Sequence, residues 1–114
     1  MAFGKTKGIM MPETTEYIYR ISPVRIELLT SGPTETEEAI LAEHFAYLKK
    51  LTDNGIVALA GRTLTTDSSS FGIVILKNVS EQEARNIMNG DPAVFHAIMT
   101  AKLFPFRIAL VSDR

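Results

Sequence analysis

Two capping boxes divide the chain into matching halves. Thr34 is followed three residues on by Glu37, and Ser80 by Glu83. A hydroxyl at the N-cap with a glutamate at the third helical position satisfies two orphan backbone donors reciprocally, so each pair marks where a helix must start. Each also follows an extended segment and precedes apolar residues at helical spacing. Upstream of the first box, Glu16 to Leu29 reads as extended. Tyr17, Tyr19 and Ile21 share one parity and Val24, Ile26 and Leu28 the other, with the slip at Ser22-Pro23, where a bulge or break belongs. After the Ser31-Gly32-Pro33 turn, the first helix carries Glu35, Glu37 and Glu38 at its positive end and should stop at Asn54-Gly55.

Ile56 to Thr63 is a short apolar run and reads as a largely covered strand. Leu64 to Ser70 is polar and reads as a flexible loop, and Phe71 to Lys77 is rich in β-branched residues and reads as the next strand, closing a hairpin. In the second helix Ala84, Ile87 and Met88 form the buried face, and Asn89-Gly90 ends it. Asp91-Pro92 restarts the chain with proline in a first helical turn, from which Val94, Phe95, Ile98 and Met99 are expected to face inward. Leu103 to Val111 is the last strand, interrupted early by Pro105.

The predicted order β-α-β-β-α-β is the split βαβ, or ferredoxin-like, arrangement of an α+β domain, with an antiparallel sheet and both helices on one face. The other face is then bare and largely apolar, and a bare apolar face of that size meets a partner, so a homodimer packed sheet against sheet is expected. A chain of 114 residues with 46% hydrophobic and 22% charged residues supports one globular domain, placed at residues 16–114. Residues 1–15 show no periodicity and read as a flexible tail in which Met10 or Met11 is an alternative start.

A net charge of -1 provides no basic surplus for a nucleic-acid backbone or an anionic membrane. The absence of cysteine excludes thiolate catalysis, disulfides and cysteine metal sites. No stretch approaches the roughly 20 apolar residues of a membrane span, and Ile9-Met10-Met11 is too short for a secretory core, so the cytoplasm is the expected compartment.

Within the first helix, a rotation of about 100° per residue puts His44 among Ile40, Leu41, Phe45, Leu48 and Leu51, while Glu43, Lys49 and Lys50 point away. The position suits either a core histidine satisfied by one carbonyl or a general acid or base lining a pocket between helix and sheet. Asp91 is the candidate partner, and also a plain N-cap before Pro92; the two roles are compatible. Arg62, ending the second strand, suits either a clamp on a carboxylate or a solvated strand end. His96 reads as solvent-facing. No histidines and carboxylates share a metal-ligand spacing, no nucleophile elbow is present, and Gly61, Gly72 and Gly90 form no phosphate cradle. The alternating Tyr17, Tyr19, Phe104 and Phe106 read as core or dimer interface.

The run Ala42-Glu43-His44-Phe45-Ala46-Tyr47-Leu48-Lys49-Lys50-Leu51 with Gly55 and Ala60-Gly61-Arg62 resembles the YCII-related (YciI-like) domain family. So do Ser70-Phe71-Gly72-Ile73-Val74, Ser80-Glu81-Gln82-Glu83-Ala84, Asp91-Pro92-Ala93-Val94 and Leu103-Phe104-Pro105-Phe106. The resemblance runs from about Glu16 to Val111. It implies a dimeric α+β barrel and a histidine-aspartate dyad carried here by His44 and Asp91. Some relatives act as dehydrochlorinases or muconolactone-type enzymes, which implies acid–base chemistry of lyase or isomerase type without naming a substrate. The expected function is that of a small cofactor-free enzyme acting on a small cyclic or anionic substrate whose charge Arg62 would hold. The alternative is a non-catalytic ligand-binding or regulatory dimer. The long first strand with its Ser22-Pro23 slip departs from the family pattern.

Overall fold

The computed structural model describes residues 14–112. Its elements are β1 (Glu16–Pro23), α1 (Glu27–Thr30), α2 (Glu35–Asp53), β2 (Val57–Arg62), β3 (Gly72–Leu76), α3 (Glu81–Gly90), α4 (Pro92–Phe95) and β4 (Met99–Phe106). The strands form one antiparallel sheet in the order β2-β3-β1-β4. This is a mixed α+β domain compatible with a ferredoxin-like fold. The tail expected over residues 1–15 falls almost wholly outside the described residues. Thr14, at its end, donates its hydroxyl to the carbonyl of Phe106 at 2.8 Å.

Both capping boxes form as the spacing demands: the Thr34 and Ser80 hydroxyls accept from the backbone of Glu37 and Glu83, whose carboxylates reach back. α2 ends at Asn54, and Gly55 takes φ +80°. Gly55 N–H then bonds Thr52 O and Ile56 N–H bonds Leu51 O, the paired bonds of a Schellman motif.

One parity of the sheet faces the helices. Tyr17, Tyr19 and Ile21 pair with Leu76, Val74 and Gly72, and all six are buried. With Leu48, Val57, Val79, Ala84 and Met88 they make the core. The other parity presents Ile18, Leu59, Ile73, Ile75 and Phe104 on the uncovered face, with Arg20 and Lys102 side by side among them. The Arg20 guanidinium lies 5.0 Å from the Phe71 ring centre.

Several expectations need correction. The chain past Pro23 is not a strand: it bends and makes the one-turn helix α1, which buries Leu28. The parity change at Ser22-Pro23 therefore marks the end of β1. Arg25 pins this bend to α2 through two hydrogen bonds to Glu37, at 2.9 and 2.7 Å. β2 is an edge strand, bulged at residue 58 and exposed beyond Val57. β4 begins at Met99 and stops at Phe106, where its only neighbour β1 runs out, leaving Leu110 and Val111 exposed. Pro105 is tolerated within β4 because an edge strand has one side without a ladder. Phe45 and Phe95, both expected inward, are 68% and 71% exposed. The stripe of α2 that is buried or half-buried is Glu37, Ile40, Leu41, His44, Tyr47, Leu48 and Leu51, which leaves Phe45 beyond its edge. In α4 a single turn can bury only one side, and Ala93 occupies it.

Candidate active site

The site is assembled where α3 gives way to α4. Pro92 disfavours helical geometry at the residue before it, and Asp91 accordingly has φ -62° and ψ 124°. That break turns the Asp91 side chain inward, where it is fully buried and caps α4 by accepting from Ala93 N–H at 3.0 Å. The same oxygen, Oδ1, lies 2.6 Å from His44 Nδ1. The other, Oδ2, accepts from the Tyr19 hydroxyl at 2.7 Å. The carboxylate is thus held by three groups from three elements: β1, α2 and the start of α4.

This arrangement sets the chemistry of the imidazole. A carboxylate on Nδ1 is matched by a proton on Nδ1, which leaves Nε2 with its lone pair. Among the described residues Nε2 has no hydrogen-bond partner. The His44 side chain is 16% exposed, so one edge of the ring reaches solvent while the other is locked. A proton taken up at Nε2 makes an imidazolium beside a buried carboxylate, where the attraction between them is weakly screened.

Two tyrosines complete the surroundings. The Tyr19 phenol is pushed far above the usual tyrosine range, first by burial and then by the adjacent Asp91 charge, so it is held as a hydroxyl donor. The Tyr47 hydroxyl donates to Ile87 O at 2.8 Å, tying α2 to the end of α3. It sits 3.1 Å from where a Cβ on Gly90 would be, so glycine there allows the two helices this approach. Burial, and then Asp91, also push the Tyr47 phenol up.

Of the residues singled out in the sequence, His44 and Asp91 are brought together. Arg62 is not. Its guanidinium is exposed and donates to Thr63 O at 3.3 Å, beside a shallow hollow of about 230 Å³ lined by Gly61, Arg62, Thr63, Phe71 and Ile73. Through Gly72 and Ile21 it shares the sheet face of Tyr19. His96 is exposed, edge-on to Phe95 with ring centres 5.1 Å apart. The loop after β2 is closed on itself: the Asp67 carboxylate takes both the backbone N–H and the hydroxyl of Ser69, which holds its carboxyl below the usual range. Among the described residues no three histidines, cysteines or carboxylates are grouped to hold a metal ion. Tyr19 is the member of this hydrogen-bonded cluster that periodicity misses, filing it as core. A clue is the hydroxyl itself, since a tyrosine at a fully buried position needs a partner for its O–H.

A four-stranded α+β domain with a buried aspartate orienting a half-buried histidine defines a class of small domain built around one polar site. The sequence matches the YCII-related domain family over residues 20–107, and the chain belongs to that family. Among curated proteins none matches it. Several solved structures are similar, two of them over most of the chain. One is 5-chloro-2-hydroxyhydroquinone dehydrochlorinase (TftG) from Burkholderia phenoliruptrix AC1100, in complex with 2,5-dihydroxybenzoquinone. It is 18% identical, with a TM-score of 0.57, covering 80% of this chain and 93% of that one. The other is the uncharacterized protein TM1266 from Thermotoga maritima, 12% identical with a TM-score of 0.50, covering 83% of this chain and all of that one. Both likenesses concern the fold. No helix among the described residues is long and apolar enough to cross a membrane.

Proposed function

We propose that this protein is a small acid–base enzyme of lyase or isomerase type, in which His44, oriented by Asp91, moves a proton on a small cyclic or anionic substrate. The observation that carries this reading is the buried Asp91 carboxylate, fully committed to donors, with the imidazole of His44 as the one donor that also reaches solvent. Nε2 takes a proton from the substrate. The electron pair released then either shifts a double bond, with the proton returned at another atom, or expels an anionic leaving group, with the proton passed to water. Neither course needs a resident cofactor. The dehydrochlorinase fold relative makes chlorinated hydroxyquinols the first substrates to try, with muconolactones beside them.

Arg62 is the cation we assign to a substrate carboxylate. By strand spacing and rise it stands about 12 Å from Tyr19 along the shared face, within the combined reach of its own side chain and a small ring. We further propose a cytoplasmic homodimer that buries the uncovered sheet face, on the strength of Ile18, Leu59, Ile73, Ile75 and Phe104 lying together there.

The test is turnover of that substrate panel by the native protein and by His44→Ala and Asp91→Asn. Loss in both variants supports the dyad; undiminished turnover in both removes it. A second reading, a ligand-binding module without catalysis, is favoured by the Arg62 hollow, whose lining includes neither His44 nor Asp91. It predicts saturable binding of the same small acids with no product formed.

A further inference from the structure

We infer that Tyr19 is a positioning residue of this site: its hydroxyl, acting through Asp91, keeps Nε2 of His44 free of a proton. The inference rests on the proton-transfer reading of His44 and adds a third member to the pair.

The geometry isolates one bond. Asp91 Oδ1 already serves two donors, the His44 ring and Ala93 N–H. Oδ2 has the Tyr19 hydroxyl alone, at 2.7 Å. Both residues are fully buried, so no water can replace the phenol without opening the core. Tyr19 itself is fixed from both sides in the middle of the sheet, paired with Val74 of β3 and Leu103 of β4. Its hydroxyl therefore cannot swing away from Asp91, and the phenol stays a donor at any pH the fold survives.

Removing that donor leaves Oδ2 as a buried carboxylate oxygen with no partner, an expensive state. The site can relieve it in two ways. It can take a proton from water at Nε2 and stay an imidazolium facing the carboxylate. Or, with that proton taken from water at Nε2, the ring can pass its Nδ1 proton to the carboxyl. Both routes end with a proton on Nε2, where a base needs none. The charged and titratable groups that face Asp91 are His44 and Tyr47 from α2 and Tyr19 from β1. None of the others can reach Oδ2 in place of the phenol, because His44 is held on Oδ1 and the Tyr47 hydroxyl is committed to Ile87 O.

The experiment is nitrogen NMR of the full chain labelled with ¹⁵N-histidine, with native and variant proteins compared at the same mildly alkaline pH. The native protein should show Nδ1 at the protonated position and Nε2 at the unprotonated one. In Tyr19→Phe, which keeps the ring and loses only the hydroxyl, the Nε2 signal should move towards the protonated position. Val74→Ala serves as control: it cuts a core contact beside Tyr19 without touching Asp91, and should leave Nε2 unmoved. An unchanged Nε2 in folded Tyr19→Phe overturns the inference, as does an equal shift in the Val74→Ala control. Should Tyr19→Phe fail to fold, the native protein decides. A slowly exchanging low-field hydroxyl proton from Tyr19 is required, and its absence overturns the inference. None of these readouts uses turnover, so a failure here is distinct from a failure of the enzymatic reading, which His44→Ala tests by activity.

Discussion

Removing the Asp91 carboxylate and merely neutralising it should have very different costs. Asp91→Ala takes away the α4 cap, worth about 1 kcal/mol, and strands the Tyr19 hydroxyl in the core, at about 1–3 kcal/mol. His44, at the edge of the site, can turn to water and adds little. Relief of the buried charge offsets part of this, leaving a net loss of about 2–3 kcal/mol. Asp91→Asn differs because the amide keeps two of the three contacts. Its oxygen replaces Oδ1, accepting from Ala93 N–H and the His44 ring, and its nitrogen replaces Oδ2, where the phenol oxygen of Tyr19 can accept from it but the Tyr19 O–H loses its acceptor. The cap is kept, and relief of the buried charge offsets part of the stranded hydroxyl, so the cost should be about 1 kcal/mol, with the His44 geometry kept and the negative charge gone. Urea unfolding monitored by circular dichroism reads both. With a slope of about 1.5 kcal/mol/M, the alanine variant's midpoint should fall by about 1.3–2 M and the asparagine variant's by about 0.7 M. Equal midpoints for the two variants, or an alanine variant as stable as the native protein, would refute the claim that three donors converge on one buried carboxylate.

Other outcomes follow from the same structure. The Glu37 carboxyl is pulled down to about 2, chiefly by its hydrogen bond from Arg25, from an ordinary value of 4.5. A depressed folded value means the stabilisation is complete above about pH 4.5 and drains away as pH falls towards 2. Glu37→Gln should flatten the acid limb of a pH–stability curve in that window, and an unchanged limb would show that the Arg25 bridge contributes nothing. The raised Tyr19 phenol has the opposite sense: the unfolded chain ionises it near the ordinary value of 10.0, the folded chain does not. Stability should be intact below that pH and fall above it, and ultraviolet titration should find one tyrosine that ionises only with unfolding; three freely titrating tyrosines would contradict its burial. For the dimer, Ile75→Asp places a charge between Ile18 and Leu59 on the uncovered face and should give a folded monomer by light scattering, whereas a native protein that is itself monomeric would remove the proposal.

Much of the fold was legible because its punctuation is local. The two capping boxes, the glycine after α2 and the proline after Asp91 each act within four residues, and all four formed as read. The misreadings concern what a segment packs against. Ile56 to Thr63 is apolar enough for a covered strand, yet its place at the sheet edge leaves it exposed, and strand order is not a local property. Val24, Ile26 and Leu28 alternate like a strand, but β3 runs out at Gly72, opposite Ile21, and on the β4 side pairing reaches only as far as the bond from Val24 N–H to Ile98 O, beyond which the chain closes into a helical turn. Phe45 and Phe95 show that an apolar side chain at the rim of a helical stripe is free to point outward. In the site, His44 announced itself by standing in that stripe. Tyr19 did not, because a strand tyrosine and a strand phenylalanine have the same parity and differ only by an atom whose partner lies 72 positions away.

The central claim is that His44 moves a proton rather than merely fills a space, and chemical rescue tests it most directly. His44→Gly opens room at the site, so turnover of the substrate panel should fall by about 10²–10⁴-fold, the usual worth of a positioned acid or base, and should recover in part when free imidazole is added. Turnover that is undiminished in His44→Gly would contradict the claim, as would a loss in a folded variant that no concentration of imidazole restores.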